Sequence, residues 1–151
     1  LPKAQINEDV MTIPGIDGQK MSKSLNNYID IFLPEKDLLK QIKKIVTDTT
    51  PLEDPKKPDE DITFKLYQLI ASPTQVNEMR LRYLAGGYGY GHAKTALLEV
   101  ILTKFNKARQ RYNELMSNTA LLEKELEVGE AKARKIAQDK IKLVREVLGF
   151  S

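Results

Sequence analysis

From Pro34 onward, apolar residues recur at the three- and four-residue spacing of helices, whereas the first 33 residues show no such period. Leu38, Ile42, Ile45 and Val46 predict a first helix, with Pro34, Glu35 and Asp37 suited to its opening turn and Thr47 to Thr50, then Pro51, ending the run. Residues 51–61 hold three prolines among acids and lysines, so a solvated connector is expected there. A second helix is predicted over about residues 62–71 and a third over about 73–84. The run Gly86-Gly87-Tyr88-Gly89-Tyr90-Gly91 stops the pattern completely. Beyond it one long helix is predicted over residues 92–116, with Leu97, Ile101, Phe105, Ala108, Tyr112 and Leu115 on a single stripe. Ser117-Asn118-Thr119 supplies a cap and turn. Two more helices are expected over 120–128 and 130–148, divided by Gly129 and closed by Gly149.

The opening segment is built differently. Val10-Met11-Thr12-Ile13 is rich in β-branched residues and is stopped by Pro14-Gly15, so it predicts a strand that exits into a loop. Residues 15–27 have no period and are expected to be loop, and the apolar cluster from Tyr28 to Leu33 is short and ambiguous. The expected fold is therefore mainly α: a bundle of five or six helices following a short strand and loop. A bundle of this kind can bind partners or dimerise, but it implies no reaction by itself.

Composition narrows the functional classes. In 151 residues, 41% hydrophobic content can fill a core, and 30% charged content keeps the surface hydrated. With no cysteine, disulfides and thiolate metal sites are excluded, and the single histidine, His92, argues against a zinc site. No apolar run reaches the roughly 20 residues of a membrane span, and no secretory signal opens the chain, so a cytoplasmic protein without a membrane partner is expected. The chain starts Leu1-Pro2-Lys3, without an initiator methionine, as a piece of a longer protein would. A net charge of +3 and a pI near 9.0 permit nucleic-acid binding without requiring it.

The chemistry concentrates in Pro14-Gly15-Ile16-Asp17-Gly18-Gln19-Lys20-Met21-Ser22-Lys23-Ser24. A glycine-hinged loop can carry ammonium groups and hydroxyls onto a polyphosphate, and lysine is a compact charge suited to a departing phosphate group. Preorganised cations placed where charge develops are typically the largest catalytic contribution in such reactions. The spacing is not that of a Walker loop. On residue types alone, a solvated turn with idle lysines remains an open alternative.

Lys20-Met21-Ser22-Lys23-Ser24, with the preceding Pro14-Gly15-x-Asp17-Gly18, resembles the signature loop of class I aminoacyl-tRNA synthetases. Further stretches resemble the C-terminal portion of the tryptophanyl-tRNA synthetases: Ile45-Val46-Thr47-Asp48, Phe64-x-Leu66-Tyr67, Tyr83-x-x-Gly86-Gly87-x-Gly89-Tyr90-Gly91-x-x-Lys94, and Gly129-x-x-Lys132-Ala133-Arg134-x-x-Ala137. Tyrosyl-tRNA synthetases usually carry a variant loop and a different C-terminal domain, which makes them the alternative. The resemblance implies that residues 1–33 end a Rossmann-type α/β catalytic domain and that residues 34–151 form a helical, anticodon-side domain. It implies ATP with Mg2+ and tryptophan as ligands, tRNA(Trp) as partner, and a homodimeric parent. Lys20 and Lys23 would serve the phosphates as catalytic groups. Met21 would lie near adenine, with Val10 and Met11 beside the ring, and Ser22 and Ser24 would give loop hydrogen bonds. The family's His-x-Gly-His-type motif is absent here, and His92 cannot replace it, so the 151 residues alone are expected to be inactive.

Candidate RNA contacts follow from charge and position. Lys94 sits one turn into the long predicted helix, and Lys104, Lys107 and Arg111 fall at i, i+3 and i+7 along one edge of its stripe. Arg80, Arg82, Arg134 and Lys135 are equally eligible. Each could instead be a solvated flank whose stem covers the core boundary. The glycine-tyrosine run is read as a tight interhelix connection, with positive φ at glycine and tyrosines packed on neighbouring helices. A non-enzymatic RNA-binding module and a dimerisation module are the competing functional classes.

Overall fold

A computed structural model describes residue 3 and residues 12–150. Among the described residues there are six helices: α1 (Glu35–Lys43), α2 (Ile62–Gln68), α3 (Pro73–Ala85), α4 (Tyr90–Lys104), α5 (Asn106–Ser117) and α6 (Thr119–Val147). The only β pairing among them is an isolated antiparallel bridge between Pro14 and Lys20. The mainly α architecture is the one the periodicity predicts. Val10 and Met11 lie outside the described residues, and Thr12 and Ile13 form no strand.

The chain divides into two compact units, Leu1–Arg109 and Gln110–Ser151. In the first, α4 is the central element: α1 and α2 both pack on it, and α3 packs on α2. It contributes Ala93, Leu97, Leu98, Val100 and Ile101 to the core, facing Leu38 and Ile42 of α1 and Phe64, Leu66 and Tyr67 of α2. Burying each large apolar side chain is worth about 1.5–3 kcal/mol, so α4 carries the largest share of the packing energy. Met79 and Tyr83 join α3 to this core, and the Phe64 and Tyr83 rings meet edge-on at 5.6 Å. The second unit has no buried residue in α6.

Local sequence sets the helix starts. Ser72 caps α3, accepting from the Gln75 backbone while the Gln75 side chain answers the Ser72 N–H, and Pro73 occupies the first turn. Asp61 caps α2 by accepting from Phe64 N at 2.8 Å. At the other end of α3, Gly86 and Gly87 both take positive φ, at 76° and 71°, and Tyr88 and Tyr90 stack around Tyr83, as the glycine-tyrosine run predicts.

Three expectations are corrected. The predicted long helix over 92–116 is two helices parted at Phe105, whose φ of −100° and ψ of 10° leave the helical region. No glycine or proline marks this break. It is set by tertiary contacts on either side: Phe105 packs against the core, and the Arg109 guanidinium donates to the Ile31 and Leu33 carbonyls. Gly129 does not divide α6, because one exposed glycine costs only about 1 kcal/mol among strong helix formers. The connector over 51–61 is not solvated throughout, since Lys56 is 2% exposed. Its ammonium donates to the carbonyls of Pro51, Leu52 and Asp54 at 3.0–3.1 Å, so the connector folds around its own lysine.

Candidate active-site loop

Residues 13–27 form a small closed loop rather than a free strap. Pro14 and Lys20 are bridged, Met21 N donates to Ile13 O at 2.8 Å, and Gly15 N donates to Gln19 O at 2.7 Å. Gly18 turns the tip with φ of 83°, a value that only glycine adopts without strain. The loop is tied to the helical body from one side by Val46 N donating to Ile16 O at 2.8 Å. On the other side, Asp30 N donates to the Gln41 side chain of α1 at 2.9 Å.

Within this frame the structure places each signature residue. Lys20 and Lys23 are exposed, and among the described residues neither ammonium has a hydrogen-bond or ion-pair partner. Met21 between them turns inward. It is half-buried against the core and lines, with Ile13, Ile29, Ile31, Leu97 and Phe105, an apolar cavity of about 280 Å³. The Ser22 and Ser24 hydroxyls bond each other at 2.8 Å. The loop thus presents two cations outward while its apolar residue anchors it.

Sequence reasoning missed the residue that organises this arrangement. Asn27 is 2% exposed. Its amide donates to Asp17 Oδ1 at 2.8 Å and to the Lys20 carbonyl at 3.1 Å, and its Oδ1 accepts from Ser22 N at 2.7 Å. No periodicity or charge signal singles out an asparagine in a loop. The glycine facing it is the one clue, because a Cβ on Gly15 would come within 2.5 Å of the Asn27 amide.

The candidate RNA-contact residues are spread over several elements. Lys94 lies on α4, but its ammonium donates to the carbonyls of Lys43 and Ile45 at 3.0 and 2.7 Å, where it caps the C-terminus of α1. Partial burial there pulls the Lys94 ammonium below the ordinary lysine range. Lys104 ends α4, exposed, and Lys107 is exposed near the start of α5. The break at Phe105 interrupts the continuous helical edge that their spacing assumes. Arg111 pairs with Glu114 and Glu125, Arg134 pairs with Glu130, and Arg80 makes a two-pronged contact with Asp59 beneath its stacking on Phe64. Arg82 stacks over Tyr88.

The family-like motifs in the helical body meet one another. Tyr90 OH donates to Asp48 at 2.5 Å, joining the stretch after α1 to the start of α4. That bond, ahead of the Thr50 backbone N–H, holds the Asp48 carboxyl below its usual range. Tyr83 OH donates to Asp61 at 2.9 Å. Burial pushes both groups up, the Asp61 carboxyl and, far more, the Tyr83 phenol.

A family model described as class I tRNA synthetases for tryptophan and tyrosine matches residues 1–106. The chain belongs to this class I synthetase family. Among curated relatives it is similar to tryptophan–tRNA ligases, at 47% identity to that of Campylobacter jejuni and 48% to that of Fusobacterium nucleatum, each over 99% of this chain. It spans about half the length of these relatives, 47% and 46% respectively. The fold superposes on a crystal structure of the Campylobacter jejuni tryptophanyl-tRNA synthetase complexed with ADP and tryptophan. There the TM-score is 0.88 at 47% identity, covering 99% of this chain and 47% of that one.

Proposed function

We propose that this chain supplies the phosphate-binding loop and the tRNA-side helices of a tryptophan–tRNA ligase, which activates tryptophan with ATP and transfers it to tRNA(Trp). The observation that carries the proposal is the pair of exposed, unpartnered ammonium groups of Lys20 and Lys23 on a loop whose backbone is pinned from within. In the activation step the tryptophan carboxylate attacks the α-phosphate, the bond to the bridging oxygen breaks, and pyrophosphate leaves. Negative charge accumulates on that leaving group, and Lys20 and Lys23 would meet it there. Met21, held inward, would set the depth at which the loop lies against the nucleotide. Residues 1–33 would close a Rossmann-type catalytic domain, and 34–151 would form the anticodon-side domain, with Lys94, Lys104, Lys107 and Arg111 as phosphate-contact candidates. Among these, Lys104 and Lys107 carry no ion pair among the described residues and are the better placed.

The ligand set in the neighbouring crystal structure supports a nucleotide and tryptophan as substrates. Among the described residues no group of three or more His, Cys, Asp or Glu side chains could hold a metal ion. A magnesium ion accompanying ATP belongs to the same proposal, and it would take most of its ligands from phosphate and water. Among the described residues no helix is long and apolar enough to cross a membrane. A cytoplasmic role in translation belongs to the same proposal as the ligase activity. A homodimeric full-length protein belongs to the same proposal, and its sedimentation behaviour tests it.

Lys23→Ala in the full-length protein is the direct test of the loop. Tryptophan-dependent exchange of pyrophosphate into ATP is expected to fall about 100-fold or more, the scale of losing one preorganised charge contact, with tryptophan affinity unchanged. An unchanged exchange rate would refute the role assigned to Lys23.

A further inference from the structure

We propose that Asn27 is a positioning residue for the activation step, acting through the Lys20–Ser22 backbone of the lysine loop. This inference rests on the proposed function above. Both amide hydrogens and the amide oxygen of Asn27 are used at once, on three different residues of the loop: Asp17, Lys20 and Ser22. Two of those contacts, the Lys20 carbonyl and the Ser22 N–H, flank Met21. Asn27 therefore fixes the peptide units on both sides of Met21, the first of the two residues that separate the lysines. The Asp17 carboxylate it holds also accepts from Gln19 N at 3.0 Å, which ties the tip of the turn to the same hub. The Asn27 carbonyl accepts from Ile16 N at 2.8 Å, so its backbone and side chain grip opposite strands of the loop.

The site is built for asparagine. Gly15 lies so close that even a methyl group there would clash with the Asn27 amide, and Asn27 is buried, so a longer glutamine has no room. Aspartate would fit in volume but would turn an acceptor toward two acceptors, the Asp17 carboxylate and the Lys20 carbonyl. Neither lysine ammonium touches Asn27, which meets Lys20 only at its backbone carbonyl. Its influence on the phosphates is through the direction in which the loop backbone launches the two side chains, and misplacement of a reacting group by about 1 Å can cost 100-fold in rate.

The test uses the full-length protein, with pyrophosphate exchange measured per active site by titration with tryptophan and ATP. Asn27→Ala is expected to lower kcat about 10- to 100-fold while the KM for tryptophan stays within about two-fold. Asn27→Asp is expected to lose more at neutral pH. Its rate relative to the native protein should rise as pH falls from about 8 to about 6, since a protonated carboxyl regains one donor. The double variant Asp17→Asn with Asn27→Asp restores an N–H···O contact between the two side chains in the reverse sense, and should recover part of the Asn27→Asp loss. Unchanged kcat per active site in Asn27→Ala overturns the proposal. So does loss confined to the amount of folded enzyme, with no rescue in the double variant. Should Asn27→Ala fail to fold, the double variant and the pH profile decide. Lys23→Ala assayed in parallel separates the two levels. If it collapses while Asn27→Ala does not, only the positioning role fails. If both are silent, the lysine loop itself has been misassigned.

Discussion

Single residues in this chain divide into those whose chemistry is displayed and those whose chemistry is consumed by the fold. Lys20 and Lys23 are displayed. Lys56 and Lys94, of identical charge, are spent on backbone carbonyls, one inside a connector and one at the end of α1. The sequence made the first pair legible, because their spacing carries a family signature, but gave no means of telling that Lys94 is engaged. Its partners, Lys43 and Ile45, lie about fifty residues away along the chain. A titration tests the same junction. Asp48 is held below the usual carboxylate range, first by the Tyr90 hydroxyl. A depressed acid contributes stability that is present above its unfolded pKa and lost as pH falls through the lower folded value. Tyr90→Phe keeps the ring but removes that donor. The variant should be less stable by under about 1 kcal/mol at neutral pH, as Asp48 is solvent-exposed, with the difference closing as pH falls below the usual carboxylate range. Equal thermal midpoints across that range would show that the bond contributes nothing.

Elements were legible where periodicity and end signals agreed. α3 begins at Pro73, as its sequence predicts, and α1 follows Pro34 with acids in its first turn. They were illegible where long-range contacts outvoted local rules. The break at Phe105 has no local marker, and Arg109 reaching the Ile31 and Leu33 carbonyls could not be inferred from spacing. The converse holds at Gly129, a local helix-breaking marker through which α6 runs unbroken. That position offers a clean measurement, because a Cβ there meets nothing within 4 Å and the φ is not positive. Gly129→Ala should raise helix content and stabilise α6 by about 0.5–1 kcal/mol, read by far-ultraviolet circular dichroism and thermal unfolding. A fall in either would mean that the helix is interrupted there after all. Hydrogen exchange should rank the elements in parallel, with amides of core-facing α4 slower than those of α6, which has no buried residue.

At the scale of the molecule, the decisive relation is between what the loop offers and what a synthetase needs. Two cations can stabilise a leaving pyrophosphate only if another surface holds the purine, the ribose and the amino acid in line with the α-phosphate, since alignment alone supplies about 7–11 kcal/mol of such a barrier. No His-x-Gly-His-type motif occurs in these 151 residues, and the relatives are about twice as long. The expectation is sharp. Expressed by themselves, residues 1–151 should show no tryptophan-dependent pyrophosphate exchange above background at saturating ATP. Intact core helices, seen by circular dichroism, would show that the failure is not one of folding. A longer protein carrying this chain after an upstream nucleotide-binding segment should exchange, and should lose that activity on Lys23→Ala. Robust exchange by the 151 residues alone would place the purine and tryptophan sites within these helices, and would overturn the division of labour argued for the loop.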